Sequence, residues 1–164
     1  MARLEQGVAE PVAMTAGRLA FVLLAVLVFI GDRVSKGLVA ANIELGREVP
    51  AIPGVVWITN TRNSGAAFGF MPAGATLFLV ASAVVAVAIV VYVVQNRGSV
   101  FTDALLGLIL GGTLGNGYDR LFHGSVTDFI ALHWWPVFNV ADSAISVGVG
   151  LLLAGYLLRR RPEP

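Results

Sequence analysis

Residues 136–158 form a long, almost wholly apolar segment, yet it carries Asp142 and, three places earlier, Asn139. An ionisable group inside a membrane segment is costly to keep and is a functional candidate by default. Asp142 has no basic residue in its own segment to neutralise it. Asp119 and Asp128 are the acids that precede it. Two neighbouring carboxyls cannot both ionise cheaply and so share a proton. The neutral one then donates to a carbonyl while the ionised one takes a proton from water, which is the logic of an aspartic peptidase. Asp128, in GSVTDFIAL, has no basic neighbour closer than His123 and precedes an apolar run that is expected to return to the membrane surface. Those surroundings favour a raised pKa and the part of general acid. Asp119 has Arg120 beside it, and an acid kept charged by an arginine suits architecture better than proton transfer. The residues alone leave both Asp119 and Asp128 open as the partner of Asp142.

Amides accompany these acids. GNGYD and FNVAD each place an asparagine three residues before an aspartate, Asn116 before Asp119 and Asn139 before Asp142. On a helix Asn139, Asp142, Ser143 and Ser146 share one face, which is expected to point into a bundle rather than at lipid. Taken singly, Asn116 and Asn139 read as polar glue between helices. Asn63, in NSGAAFG, precedes small residues that let backbone approach a ligand. Asp32 and Lys36 are spaced four apart with the acid first, the better order for a helical ion pair, and are read as structural.

Other chemistries find no residues. The 164 residues include no cysteine and only two histidines, His123 and His133, so neither a thiolate site nor a histidine metal site is expected. The net charge of +1 gives no electrostatic reason to expect nucleic acid. Ser35 and Lys36 are adjacent and would point apart on a helix, and there is no Gly-x-Ser-x-Gly turn. No cofactor is called for.

The elements that must hold these groups are membrane helices. Hydrophobic residues make up 57% of the chain and charged ones 13%, with a mean hydropathy of +0.81; soluble domains carry about a quarter charged residues. Runs long enough to cross a bilayer fall at about 19–41, 72–94, 100–118 and 136–158. The first resembles a signal peptide behind Arg18. Its apolar character resumes at 37–41 beyond the charges, and it is read as a retained crossing. The expected architecture is all-α, a four-transmembrane-helix bundle forming one domain over 1–164, with outer loops at 42–71 and 120–135. Arg3, Arg18, Arg97 and Arg159 to Arg161 fall on the side of the termini, against Arg47, Arg62 and Arg120 on the other. The positive-inside tendency then puts both termini in the cytoplasm. In the first outer loop GVVWITNTRN is rich in β-branched and aromatic residues and predicts one or more short strands. Trp57, Trp134 and Trp135 suit a membrane interface, and Trp57 reads equally well as part of the core of the loop. Gly107, Gly111 and Gly115 form a stripe along which another helix can pack closely. Asp119 lies sixteen residues beyond Asp103 and Asp142 seventeen before Arg159. At about 1.5 Å per residue both carboxylates reach a similar depth near the outer face, which argues for one shared site.

The pieces DRVSK (32–36), RNSGAAFG (62–69), GGTLGNGYDR (111–120), VTDF (126–129) and FNVADSA (138–144) occur in an order that resembles the lipoprotein signal peptidase, or signal peptidase II, family. Two departures are mild, Ser64 where that family usually has threonine and Thr127 where it usually has valine. The resemblance implies an aspartic endopeptidase of the bacterial plasma membrane with its site facing outward. Such an enzyme removes the signal peptide from prolipoproteins, cutting before a cysteine that carries a diacylglyceryl group. It implies Asp128 and Asp142 as the catalytic pair, with Asn63, Asn116, Asp119, Arg120 and Asn139 in support and Asp32 and Lys36 serving integrity. The expected partners are lipid-modified precursors and membrane lipid, and the enzyme is expected to be a monomer. Two rival readings are a small transporter with Asp142 as an ion relay, disfavoured because such a group more often lies at the midplane, and a non-catalytic scaffold.

Overall fold

The computed structural model describes residues 14–65, 74–96 and 98–159. Among them lie four helices, α1 (Ala16–Asn42), α2 (Gly74–Gln95), α3 (Val100–His123) and α4 (Val140–Arg159). Three strands, β1 (Glu48–Ile52), β2 (Val56–Asn63) and β3 (Val126–Ala131), form one antiparallel sheet in that order. α2, α3 and α4 are each long and apolar enough to cross a membrane. α1 is longer, at 27 residues, and carries Arg18, Asp32, Arg33 and Lys36 in its sequence.

α3 is the central post. In its most apolar stretch it is 61% buried, against 6% for α2 and 11% for α4. α1, α2 and α4 pack around it, and α1 and α4 also touch each other. The glycine stripe explains how close α1 comes. A methyl group at Gly107 would stand 2.5 Å from the carbonyl oxygen of Phe21, and one at Gly111 equally close to that of Ala25. At Gly115 it would meet the Asp32 carboxylate at 2.6 Å. The lipid-type faces are elsewhere: Leu77, Val80, Val84 and Val87 on α2, and Leu19, Leu23, Val26 and Leu27 on α1, are exposed. A helix apolar nearly all round that exposes such residues is suited to hydrocarbon, not water.

Local chemistry sets the ends of α3. Ser99 accepts the N–H of Thr102 at 3.1 Å and caps its start, with Asp103 favourably placed in the first turn. Gly124, at φ 69°, stops it in the left-handed conformation that glycine tolerates. The helix therefore runs through Arg120 to His123, and the second connecting segment begins four residues later than the hydropathy suggests. α1 likewise starts at Ala16, because Thr15 caps it by accepting the N–H of Arg18. Residues 72–73 of the second expected crossing lie outside the described residues; α2 is described from Gly74.

Two expectations are corrected. The segment after α3 is a strand, not a loop returning to the membrane: β3 pairs with β2, with Thr61 opposite Asp128 and Asn63 opposite Val126. Its apolar residues are buried under α3 and the sheet, which is why they read like a membrane return. α4 begins at Val140, not at 136. Phe138 forms a bridge with Ile130, and its N–H and C=O bond that residue's backbone, so residues 136–139 are extended. The strands expected in the first connecting segment are present, joined by a turn in which Pro53 and Gly54 (φ 77°) occupy the middle positions and Val55 N–H bonds Ile52 C=O at 2.9 Å.

Gly111→Val should force α1 away from α3, since its added carbons point into backbone. Overpacking of this kind costs about 1–3 kcal/mol, and a lower unfolding midpoint by circular dichroism in detergent is the expected result. A midpoint equal to wild type would mean that the two helices do not rely on that contact.

Candidate active site

At the end of the bundle that carries the sheet, α1, α3, β2, β3 and α4 each contribute a polar side chain to one cluster. Asn139 stands at its centre and is fully buried. Its side-chain oxygen accepts the N–H of Asp142 at 2.9 Å, and the Asp142 carboxylate accepts the N–H of Asn139 at 3.2 Å. This is a reciprocal cap of the start of α4. The three-residue spacing of FNVAD is therefore that of a helix cap; the expectation that Asn139 shares a helical face with Asp142 and Ser143 does not hold. Ser143 instead donates back to the Asn139 carbonyl at 2.9 Å.

The Asn139 amide nitrogen reaches out of the cap. It donates to Asp128 Oδ1 at 2.6 Å, to Asn116 Oδ1 at 3.1 Å and to the Thr127 carbonyl at 3.3 Å. Asn116 donates in turn to Asp142 Oδ1 at 2.7 Å. Asn63, at the end of β2, donates to Asp128 Oδ2 at 2.9 Å, and its own carbonyl accepts the N–H of Gly65. Asp128 and Asp142 are thus linked through a single asparagine. Each carboxylate also has a second amide donor of its own. Asp119 and Asp142, the two acids expected to share one site, are not bonded to each other; Asn116, one turn before Asp119 on α3, is the residue that donates to Asp142 on α4.

The environments of the two acids differ. Asp128 is almost wholly buried in β3. Burial pushes its pKa above the ordinary carboxylate value, and the charge of Asp142 pushes it the same way. Hydrogen bonds from Asn63 and Asn139 pull against that rise without cancelling it. Asp142 is only partly buried, at the first turn of α4, where the helix dipole favours negative charge.

Asp119 has a different set of neighbours. Its partners are not adjacent Arg120: from α1, Arg33 pairs with Oδ1 and Lys36 with Oδ2 at 3.0 Å, and from α3 the His123 Nδ1 stands 3.4 Å from Oδ1. Oδ2 also accepts the N–H of Thr127 at 3.2 Å, which ties β3 to α3. Asp32 pairs with Lys36 at 2.8 Å and accepts the N–H of Ala141 at 3.1 Å. Asp32 and Lys36 form the i, i+4 ion pair that their spacing favours, and they reach further, with Asp32 at the first turn of α4 and Lys36 donating to Asn116 Oδ1 at 2.9 Å. Arg120 is half-buried and makes no ion pair among the described residues. It lies over the ring of Phe78 and donates to the Asn116 carbonyl at 3.4 Å. Its Nε is buried without a hydrogen-bond partner. Asn63 is described, whereas residues 66–69 of the same motif lie outside the described residues.

Sequence reasoning missed two contributors. Arg33 was visible only as one more charge in an apolar run. His133 takes a positive φ of 62°, stacks on Trp57 at 3.7 Å between ring centroids and bonds Glu48 at 2.8 Å, so it fastens the β3–α4 connection to the sheet; no local pattern marks it. Trp57 is accordingly a packing residue of the sheet. Trp134 and Trp135 are exposed beside it.

A helical membrane protein with a small sheet and a paired-acid cluster at one end is the class this arrangement defines. The chain belongs to the family described as Signal peptidase (SPase) II, which it matches over residues 24–158. It is 45% identical over 137 residues to a lipoprotein signal peptidase of Syntrophomonas wolfei, covering 84% of this chain and 92% of that one. A lipoprotein signal peptidase of Bacillus subtilis is 38% identical, over 84% of this chain and 93% of its own. A bacterial membrane enzyme solved by the in meso method at 1.9 Å superposes with a TM-score of 0.79 at 33% identity, over 84% of this chain and 92% of the other.

Asn139→Ala should remove the cap and also orphan the groups it satisfies. The lost cap alone costs about 1 kcal/mol, and the unmet buried partners about 1–3 kcal/mol more. Asn139→Ser keeps a capping oxygen while losing the reach to Asp128, so its unfolding midpoint should lie between those of wild type and Asn139→Ala. Equal midpoints for the serine and alanine variants would remove the cap from the account.

Proposed function

We propose that this chain is an aspartic endopeptidase that removes the signal peptide from diacylglyceryl-modified prolipoproteins, with Asp142 and Asp128 as its catalytic pair. Processing of lipoprotein precursors is the activity of the family to which the chain belongs. The observation that carries the residue assignment is Asn139, whose side chain bonds Asp128 while its cap engages Asp142. Asp119 is less suited to the role, because both of its oxygens are taken up by Arg33, Lys36 and the Thr127 N–H.

One proton shared by the pair belongs on Asp128, the more deeply buried acid, whose pKa is raised. Asp142, ionised, takes a proton from a water molecule. The water oxygen attacks the scissile carbonyl carbon, and Asp128 donates its proton to the carbonyl oxygen. Collapse of the resulting gem-diol breaks the C–N bond, with the proton held by Asp142 passing to the leaving amine and a gem-diol hydroxyl returning its proton to Asp128. Arg120 faces the pair and feels the charge of Asp142, Asp128 and Asp119. Its positive charge would favour the negative charge that develops on the scissile carbonyl oxygen. Asn63 and Asn116 hold the two carboxylates in place.

In the membrane we read α1 as a fourth crossing, with its exposed leucines and valines toward lipid and its charges turned onto α3. Both termini are then cytoplasmic and the sheet lies outside, so the substrate's acyl chains stay in the outer leaflet during cleavage. The enzyme is read as a monomer. The exposed tryptophans 134 and 135 suit the interface between lipid and water.

Asp128→Asn and Asp142→Asn should each abolish cleavage of a purified diacylglyceryl-modified precursor in detergent, while Asp119→Asn retains measurable turnover; an active Asp142→Asn enzyme would end the aspartic reading. The pH dependence follows from Asp128. Activity needs it protonated, so the alkaline limb of kcat/KM should lie above the ordinary carboxylate range. The Asn63 bond favours the charged form, so Asn63→Ala should move that limb to still higher pH. A limb that stays in place or falls would show that Asp128 does not set it.

A further inference from the structure

Resting on that catalytic reading, we propose that Lys36 is a positioning residue of the acid pair and acts on Asp142 through Asn116. Lys36 is 2% exposed, so water cannot serve its three N–H donors. Two of them meet Asp32 at 2.8 Å and Asp119 at 3.0 Å. Those two carboxylates supply the ionic link from α1 to α3 and leave one donor to be met. The third donor goes to Asn116 Oδ1 at 2.9 Å.

That contact fixes an orientation. A side-chain amide has nearly the same shape when its oxygen and nitrogen are exchanged, so shape alone does not decide which end faces Asp142. The Asn116 oxygen accepts from both the Lys36 ammonium and the Asn139 amide. The reversed amide would set its N–H groups against an ammonium and its carbonyl against a carboxylate. With the cation in place, the Asn116 N–H must point at Asp142 Oδ1, where it stands at 2.7 Å. Asp142 Oδ2 is occupied by the Asn139 backbone N–H. The rotation of the base is therefore set from α1, across α3, to α4. Misplacement of a catalytic group by an ångström can cost up to about a hundredfold in rate.

The test removes charge in pairs, because a lone buried charge is itself destabilising. Asp32→Asn serves as the background. Into it go Lys36→Gln, which keeps a donor near Asn116 without the charge, and Lys36→Met, which has similar length and no donor. The three proteins are compared with a purified diacylglyceryl-modified precursor in detergent, alongside their unfolding midpoints. The Met variant should lose between about ten- and a hundredfold in kcat with KM within about twofold, and the Gln variant should recover most of that loss. Equal kcat for the Gln and Met variants would overturn the proposal. So would a Met variant that fails to accumulate folded, or failure of both, because either marks Lys36 as a folding residue. Asp142→Asn in the Asp32→Asn background separates this outcome from failure of the catalytic reading itself: only the latter leaves that enzyme active.

Discussion

The first turn of α4 has backbone N–H groups with no partner inside the helix, and it lies where little water is available to them. Their acceptors come from three places: the Asn139 side chain takes the Asp142 N–H, Asp32 on α1 takes the Ala141 N–H, and the Asp142 carboxylate turns back onto the Asn139 N–H. Once that turn is closed, much else follows. Asn139 cannot rotate, so its amide is committed to Asp128 and Asn116. Asp142 cannot swing toward lipid. The connection from β3 is held by its bridge between Ile130 and Phe138. A backbone requirement and the linkage of the two acids are met by the same atoms.

Around that turn lies a layer of buried ions. Asp32, Lys36 and Asp119 are all nearly inaccessible, and Arg33, over the ring of Tyr118 at 4.5 Å, closes the set. Buried ion pairs seldom add net stability over apolar packing, but breaking one partner is expensive. Their value here is directional. The glycine face of α3 lets α1 approach until Asp32 sits against Gly115, and only at that distance can Lys36 reach both Asp119 and Asn116. Close packing, charge placement and the aim of the Asn116 amide form one chain of cause.

The two acids come from unlike elements, and that difference separates their chemistry. Asp128 is fixed in a strand, opposite Thr61, and is sealed on both sides. Asp142 lies half-buried at a helix start among hydrogen-bond donors. Burial raises the pKa of the first. A strand places Asp128 more firmly than the loop suggested by hydropathy would have done, because its backbone is bonded to β2 on one side and to Asp119 at Thr127 on the other.

The apolar runs, the glycine repeat and the isolated carboxylates were readable from the residues, since length, spacing and the cost of a charge in hydrocarbon are local properties. So were the β-branched stretch in the first connection and the kinship carried by five ordered motifs. The alternation that marks a half-exposed strand is absent from VTDFIA, because nearly every residue in it is buried, so β3 passed for a membrane return. The spacing of Asn139 and Asp142 fits a helical face and a helix cap equally well; only the bridge from Phe138 to Ile130 decides for the cap. The choice of Arg33 and Lys36 over Arg120 as partners of Asp119, and of Asn139 as the link between Asp128 and Asp142, depends on how near three helices come to one another. Sequence determined which groups had to be satisfied; the tertiary structure decided by whom, because hydrogen bonds and ion pairs between distant segments are set by packing distance and not by position along the chain.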